Sequence, residues 1–126
     1  GDDVKVIIAE TSEDHPFVQV ELMMPILPIV RVPDVDAGIE MAVRVEHGNR
    51  HTAMMHSRNV DKLTKMAKLI QTTIFVKNGP SYAGIGVGGE GYTTFTIAGP
   101  TGEGLTSAKS FARRRRCVLV GGMDVR

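Results

Sequence analysis

The sequence lacks several features that mark common classes of protein. Its 126 residues include no tryptophan and one cysteine, Cys117, which excludes an internal disulfide framework and a cysteine-rich metal site and fits a reducing compartment. The longest uncharged apolar-leaning run near the N-terminus, residues 22–30, contains two prolines. A membrane-spanning helix needs about 20 apolar residues, so no such segment is predicted. The chain begins Gly-Asp-Asp, without a methionine or a secretory signal, and we therefore expect a piece of a longer protein.

The composition is that of a globular protein, with 42% hydrophobic and 23% charged residues. Its formal net charge of +1 hides a segregation along the chain. Residues 1–46 carry ten acidic and three basic side chains, whereas residues 47–126 carry four acidic and twelve basic ones. Such segregation is typical of a tail that binds nucleic acid or a membrane, or of two surfaces that face different neighbours in a larger protein. Composition leaves these alternatives open.

Strand-like and helix-like patterns alternate in the first two thirds of the chain. Runs rich in β-branched residues predict strands at 4–9, 26–32, 52–56 and 72–76. Pro28 removes a ladder donor, so the second strand is irregular there or lies at a sheet edge. Two apolar stripes predict amphipathic helices, one capped by Asp34 and the other by Ser57 or Asn59. This alternation predicts an α/β fold with a parallel sheet.

The last 50 residues are rich in glycine and weakly patterned. They offer a weak helical candidate at 105–112, a β-prone stretch at 92–97 and a terminal strand at 115–120. Two helices are too few to cover the predicted strands, which favours part of a larger fold.

Glycines at 84, 86 and 89 formally match the dinucleotide-binding pattern G-x-G-x-x-G. That pattern requires a strand leading directly in and a helix leading directly out, because the helix N-terminus binds the pyrophosphate. Here residues 78–80 separate the glycines from the strand, residues 90–94 begin a helix poorly, and position 109 is lysine instead of an acid. We favour a loop in which glycines permit close backbone approach.

The remaining candidate motifs point to no catalysis by this chain alone. Arginines at 113–116 would attract phosphates, but no aromatic side chains lie between them for base stacking. The four histidines lack metal-ligand spacing, so we expect no metal site. Cys117 lies in an apolar run and is predicted to be buried rather than nucleophilic. A stand-alone α/β interaction module and a basic-tail nucleic-acid binder stay open as alternatives.

Several strings resemble the aldehyde dehydrogenase superfamily, at 21–25, 45–48 and 52–57. Further strings are more narrowly similar to the CoA-acylating aldehyde dehydrogenases of bacterial ethanolamine and propanediol utilisation, at 73–80, 88–94, 100–106 and 115–120. The resemblance covers essentially the whole chain but only about the last quarter of such an enzyme. It implies a strand-helix-strand-helix-strand piece of the catalytic domain, with three-layer αβα architecture, over residues 1–112. It also implies a terminal oligomerisation strand over residues 113–126.

The resemblance implies oxidation of acetaldehyde or propionaldehyde by NAD and coenzyme A to an acyl-CoA. In that family a cysteine thiolate attacks the aldehyde, and both this cysteine and the cofactor-binding half precede the region that this chain resembles. We therefore expect no catalytic residue here and an inactive fragment. The resemblance further implies a cytoplasmic enzyme, within a bacterial microcompartment in some cases, that forms homo-oligomers and binds neither nucleic acid nor membrane.

Particular residues match particular family positions. Glu21 matches the glutamate that accepts hydrogen bonds from the nicotinamide-ribose hydroxyls, and Met23 stands where hydrolytic relatives have an aromatic residue. The family lines its aldehyde channel with the segment that here holds Asn78, Pro80, Ser81 and Tyr82. The strand that joins a subunit interface in the family matches Arg115, Arg116, Cys117, Val118, Leu119 and Val120.

Overall fold

Short strands and helices alternate along the chain as far as Lys77. The computed structural model describes residues 3–92, 94, 105–118 and 120–121. The strands are β1 (Ile7–Glu10), β2 (Ile26–Ile29), β3 (Thr52–Met55) and β4 (Ile74–Lys77). The α-helices are α1 (Pro16–Gln19), α2 (Val35–Val45) and α3 (Val60–Ile70), and two 3₁₀ helices follow at Ser81–Ile85 and Ala108–Phe111. The α/β class predicted from the sequence is confirmed.

The strands form two separate parallel pairs. β1 pairs with β2, with Ile7 opposite Ile26 and Ala9 opposite Pro28. β3 pairs with β4, with Thr52 opposite Ile74. Since β2 has one described neighbour, Pro28 lies in an edge strand, where its missing N–H leaves no ladder bond unmade.

Side-chain caps determine where the two longer helices begin. The Asp34 carboxylate accepts a hydrogen bond of 2.9 Å from the Ala37 N–H, which confirms the predicted cap of α2. Of the two candidates for α3, Asn59 is the cap, and its Oδ1 accepts from the Lys62 N–H at 3.1 Å. Each cap satisfies a backbone donor that has no partner within its own helix.

The main core lies where α2 and α3 pack against the second strand pair. Its buried members are Ile39, Ala53, Met66 and Ile70. Val35 and Val60, which the apolar stripes predict to be buried, are instead 48% and 65% exposed. Each is the first residue of its helix, directly after the N-cap.

The first strand pair has little covering it in this chain. Ile8 is 60% exposed and Leu27 is 52% exposed. An isolated two-stranded sheet is marginal in water, so its apolar side chains need a further layer. The three-layer arrangement stays a prediction.

The C-terminal segment differs from its predicted structure. Residues 113–118 form no strand, since no described strand pairs with them, and Leu119 lies outside the described residues. The helical candidate at 105–112 is reduced to the 3₁₀ turn Ala108–Phe111. Of the β-prone stretch at 92–97, residues 92 and 94 are in no strand and the others lie outside the described part. None of the described helices is long and apolar enough to cross a membrane.

A network of three charged side chains joins the acidic half of the chain to the basic half. The Asp36 carboxylate on α2 accepts from Lys62 Nζ at 2.6 Å and from Lys65 Nζ at 2.8 Å, both on α3. These hydrogen bonds lower the pKa of Asp36 to about 2. Because the three side chains remain about one third or more exposed, solvent and salt weaken this attraction.

We predict that Asp36→Asn lowers the stability of the α2–α3 packing modestly, and less at high salt. The folded-state pKa lies below the ordinary value of 3.8, so the folded state binds fewer protons than the unfolded state. The contribution is therefore complete above about pH 5 and is lost as the pH falls toward 2. Urea unfolding across this pH range, in low and high salt, measures it.

Asp14→Asn is the matched control, since Asp14 is an exposed carboxylate in the loop before α1. An equal loss of stability in both variants, with no dependence on salt, would contradict the role given to Asp36.

Candidate functional site

The carboxyl ends of β3 and β4 meet at one edge of their sheet. The strands are parallel and Met55 lies opposite Lys77, so the loops that follow both strands begin side by side. In parallel α/β sheets this edge is where ligands bind. The residues immediately after the two strands therefore form the candidate site.

Asn78 joins the two loops. Its Oδ1 accepts from the Ser57 N–H at 2.7 Å, and its Nδ2 donates to the Ser57 carbonyl at 2.9 Å. Its own N–H donates to the Met55 carbonyl at 3.0 Å. Asn78 has a left-handed backbone with φ of 54°, which asparagine adopts more readily than most residues.

The 3₁₀ helix Ser81–Ile85 continues from this junction and packs against β4. Ile85 is buried against Ile74 and Val76 in a second small core. The Pro80 carbonyl accepts from the Ala83 N–H at 2.9 Å, which starts the 3₁₀ turn. This element was not predicted from the sequence, because the glycines around it suggested only a loop.

A cavity of about 450 Å³ lies between these elements. Its wall is formed by the end of β4, residues 78–80, part of the 3₁₀ helix and residues 87–90. Asn78 and Pro80 line this cavity, and the aldehyde-channel role that the resemblance implies for them stays a prediction. Ser81 and Tyr82 are not among its described lining residues, and Tyr82 is 59% exposed.

The backbone of the glycine-rich segment lies close to neighbouring side-chain and backbone atoms. A Cβ atom on Gly84 would overlap Cγ2 of Ile74, and one on Gly89 would lie 2.6 Å from the Ala83 carbonyl oxygen. No α-helix follows the glycines among the described residues, so there is no helix N-terminus here for a pyrophosphate. The predicted close backbone approach at these glycines agrees with the structure, although Gly84 lies in the 3₁₀ helix rather than in a loop.

Glu21 and Met23 lie in a separate turn before β2. The Glu21 Oε1 accepts from the Met23 N–H at 2.9 Å, and Met23 has φ of 51°. Glu21 is exposed, and Met23 is 69% exposed. This turn lies at the amino end of β2, and neither residue is among the described lining of the cavity.

The described residues 113–118 form neither a strand nor a buried site. Cys117 is exposed, so the prediction that it is buried is wrong. The reason is that no described strand covers it. Val118 is 73% exposed and Val120 is 96% exposed. No group of three or more His, Cys, Asp or Glu side chains in the described residues could hold a metal ion.

Ser57 is the site residue whose role the sequence did not predict. Its backbone holds Asn78, and its Oγ accepts from the Asn59 N–H at 3.0 Å. The sequence did hold a signal for this contact, because a small polar residue, Ser57 or Asn78, comes shortly after each of two predicted parallel strands.

Comparison with known proteins gives a close match. No protein-family model matches the chain. The propanal dehydrogenase (CoA-propanoylating) of Salmonella typhimurium is 59% identical over 122 residues, which are 97% of this chain and 26% of that protein. The acetylating acetaldehyde dehydrogenase of Escherichia coli is 57% identical over 123 residues, or 98% of this chain and 26% of that protein.

Solved structures agree. Rhodopseudomonas palustris propionaldehyde dehydrogenase, solved with bound propionyl-CoA and also with CoA and an acylated cysteine, matches with a TM-score of 0.79 and 76% identity. The match covers 92% of this chain and 26% of that one. An engineered glycolyl-CoA reductase with bound NADP+ matches with the same coverage, TM-score and identity. A propionaldehyde dehydrogenase from the Clostridium phytofermentans fucose-utilisation microcompartment matches with a TM-score of 0.79 and 56% identity, over 100% of this chain and 29% of that one.

We predict that Gly84→Ala destabilises the 3₁₀ helix and the cavity wall by about 1–3 kcal/mol, because the added methyl group overlaps the buried Ile74 side chain. Gly79→Ala is the matched control. Its Cβ would lie 3.4 Å from Val76 Cγ1, an ordinary contact distance. Urea unfolding of both variants measures the difference, and equal midpoints would contradict the packing described for Gly84.

The chain spans about a quarter of the length of the curated relatives it matches. It therefore matches, over nearly all of its own length, one part of the CoA-acylating aldehyde dehydrogenases.

Proposed function

We propose that this chain is part of an enzyme that oxidises a short-chain aldehyde, acetaldehyde or propionaldehyde, with NAD and coenzyme A. The products are the acyl-CoA thioester, the reduced nucleotide and a proton. The observation that carries the proposal is the 76% identity over 92% of the chain to the Rhodopseudomonas palustris enzyme with bound propionyl-CoA.

The chain's own residues contribute binding and shape rather than the reacting sulfur. Cys117 is exposed, and it is not among the described residues that line the cavity. We assign the nucleophilic cysteine to another part of the enzyme and expect the isolated chain to be inactive. The cavity wall at 78–80 then encloses the aldehyde, and exclusion of water there protects the thioester from hydrolysis.

Glu21 fits a role in holding the nucleotide. Its Oε1 is held by the Met23 N–H, so the carboxylate is already oriented, and its exposure leaves it able to accept hydrogen bonds from ribose hydroxyls. Met23 presents apolar surface beside it. When bound, the nucleotide supplies the hydride acceptor for aldehyde oxidation.

The test uses the full-length enzyme that carries this chain. We expect it to form acyl-CoA from propionaldehyde, CoA and NAD. NADH absorbance measures the rate of this reaction, and mass spectrometry identifies the thioester. Glu21→Gln should lower kcat/KM for NAD about ten- to hundredfold, because hydrogen bonds to a charged carboxylate are lost.

Glu10→Gln is the matched control, since Glu10 is an exposed carboxylate paired with Arg31 on the first strand pair. If the full-length enzyme forms no acyl-CoA, the proposed reaction is overturned. If the isolated chain turns over, the assignment of the nucleophile to another part of the enzyme is overturned. Equal kinetics of the two variants would overturn only the role of Glu21.

We also propose that residues 115–120 contribute to a homo-oligomer interface. The exposed side chains of Val118 and Val120 and the β-prone sequence support this, because such a segment gains burial and backbone partners from a neighbouring subunit. A cytoplasmic location inside a bacterial microcompartment is proposed by analogy with the Clostridium phytofermentans protein. Co-purification with compartment shells is its test.

Val118→Asp should shift the full-length enzyme to a smaller species in sedimentation velocity, because a charge would enter an apolar contact. Val60→Asp is the control, since Val60 is 65% exposed on α3. Unchanged sedimentation of the Val118 variant would contradict the interface.

A further inference from the structure

We propose that Asn78 is a positioning residue that fixes the cavity wall and thereby the preference among aldehydes of different length. This inference rests on the proposed function. Both polar atoms of its carboxamide already bind the Ser57 backbone, at 2.7 and 2.9 Å. These bonds fix the orientation of the side chain, and we assign it an effect on the cavity through the geometry of the loop.

The contacts of Asn78 tie the cavity wall to a rigid part of the fold. Ser57 Oγ accepts from the Asn59 N–H at 3.0 Å, and Asn59 caps α3. Two of the buried side chains of α3, Met66 and Ile70, belong to the main core. The two Asn78–Ser57 side-chain bonds, which we call the clamp, are therefore anchored through Ser57 to α3, the described α-helix with the most buried side chains.

On its other side the clamp leads directly into the wall. Gly79 and Pro80 follow Asn78 and line the cavity, and the Pro80 carbonyl starts the 3₁₀ turn by accepting from Ala83 at 2.9 Å. The proline ring restricts φ, so the wall has little freedom between the clamp and the 3₁₀ helix. A change at Asn78 must therefore move the wall.

The left-handed backbone of Asn78 shows that this junction is specified by its bonds. A non-glycine residue at φ of 54° costs free energy and persists where surrounding contacts hold it. Three hydrogen bonds supply those contacts, one from the Asn78 N–H to Met55 at the end of β3 and two between the Asn78 side chain and the Ser57 backbone.

A fixed wall matters because acetaldehyde and propionaldehyde differ by one methylene group. The cavity has polar lining residues as well as apolar ones, among them Val76, Pro80 and Ala83. Apolar contacts of defined depth discriminate such substrates by about 10- to 200-fold. A wall free to move accommodates both and loses this discrimination.

The experiment compares Asn78→Gly with Asn49→Gly in the full-length enzyme. Glycine keeps the left-handed backbone of residue 78 and removes both side-chain bonds. Asn49 makes a comparable bond, from Nδ2 to the Glu46 carbonyl at 2.9 Å, but lies in the loop before β3 at the opposite edge of the sheet.

For Asn78→Gly we expect the ratio of kcat/KM between the two aldehydes to move about tenfold toward unity, while KM for NAD changes less than about twofold. Amide hydrogen exchange at residue 57 should accelerate about tenfold, because its acceptor is gone. Asn78→Asp keeps the acceptor for the Ser57 N–H but loses the donor, and it should give an intermediate ratio. If the glycine variant does not fold, the aldehyde ratio of Asn78→Asp tests the inference in its place.

An equal loss of turnover with both aldehydes would overturn the inference, as would a ratio that matches that of Asn49→Gly. If the parent enzyme forms no acyl-CoA from either aldehyde, the proposed function fails instead. Unchanged exchange at residue 57 in Asn78→Gly would then separately overturn the clamp.

Discussion

The parallel pairing of β3 with β4 is the constraint on which the rest of the site depends. Because α3 connects the two strands, both of them point the same way and their following loops emerge together. The Asn78–Ser57 bonds can form only at such a junction. The cavity, the 3₁₀ helix and the close glycine packing are all placed by this one edge.

The two strand pairs of the chain differ in how much of their surface is covered. The β3–β4 pair carries the buried core, whereas the apolar side chains of the β1–β2 pair are largely exposed. That difference is understandable for a chain that spans about a quarter of its relatives. In a full-length enzyme we expect further layers of the same protein to cover the first pair.

Local chemistry made part of this structure predictable. The Asp34 cap, the two amphipathic helices and the edge position of Pro28 follow from residue types and spacing over a few positions. The clamp between Asn78 and Ser57 was not predicted, because it joins residues 21 positions apart and depends on how two strands pair. The burial predicted for Cys117 was wrong because it assumed a covering strand, and such a strand is a property of the tertiary or quaternary structure. The family resemblance supplied the proposed role of Glu21, which no local pattern indicates.

The most direct measurement is a structure of the full-length enzyme with bound propionyl-CoA. We predict that the acyl chain lies within about 4 Å of residues 78–80, beside the intact Asn78–Ser57 bonds. An acyl chain bound elsewhere, with the cavity at the end of β4 filled only by solvent, would contradict the assignment of this edge as the aldehyde site.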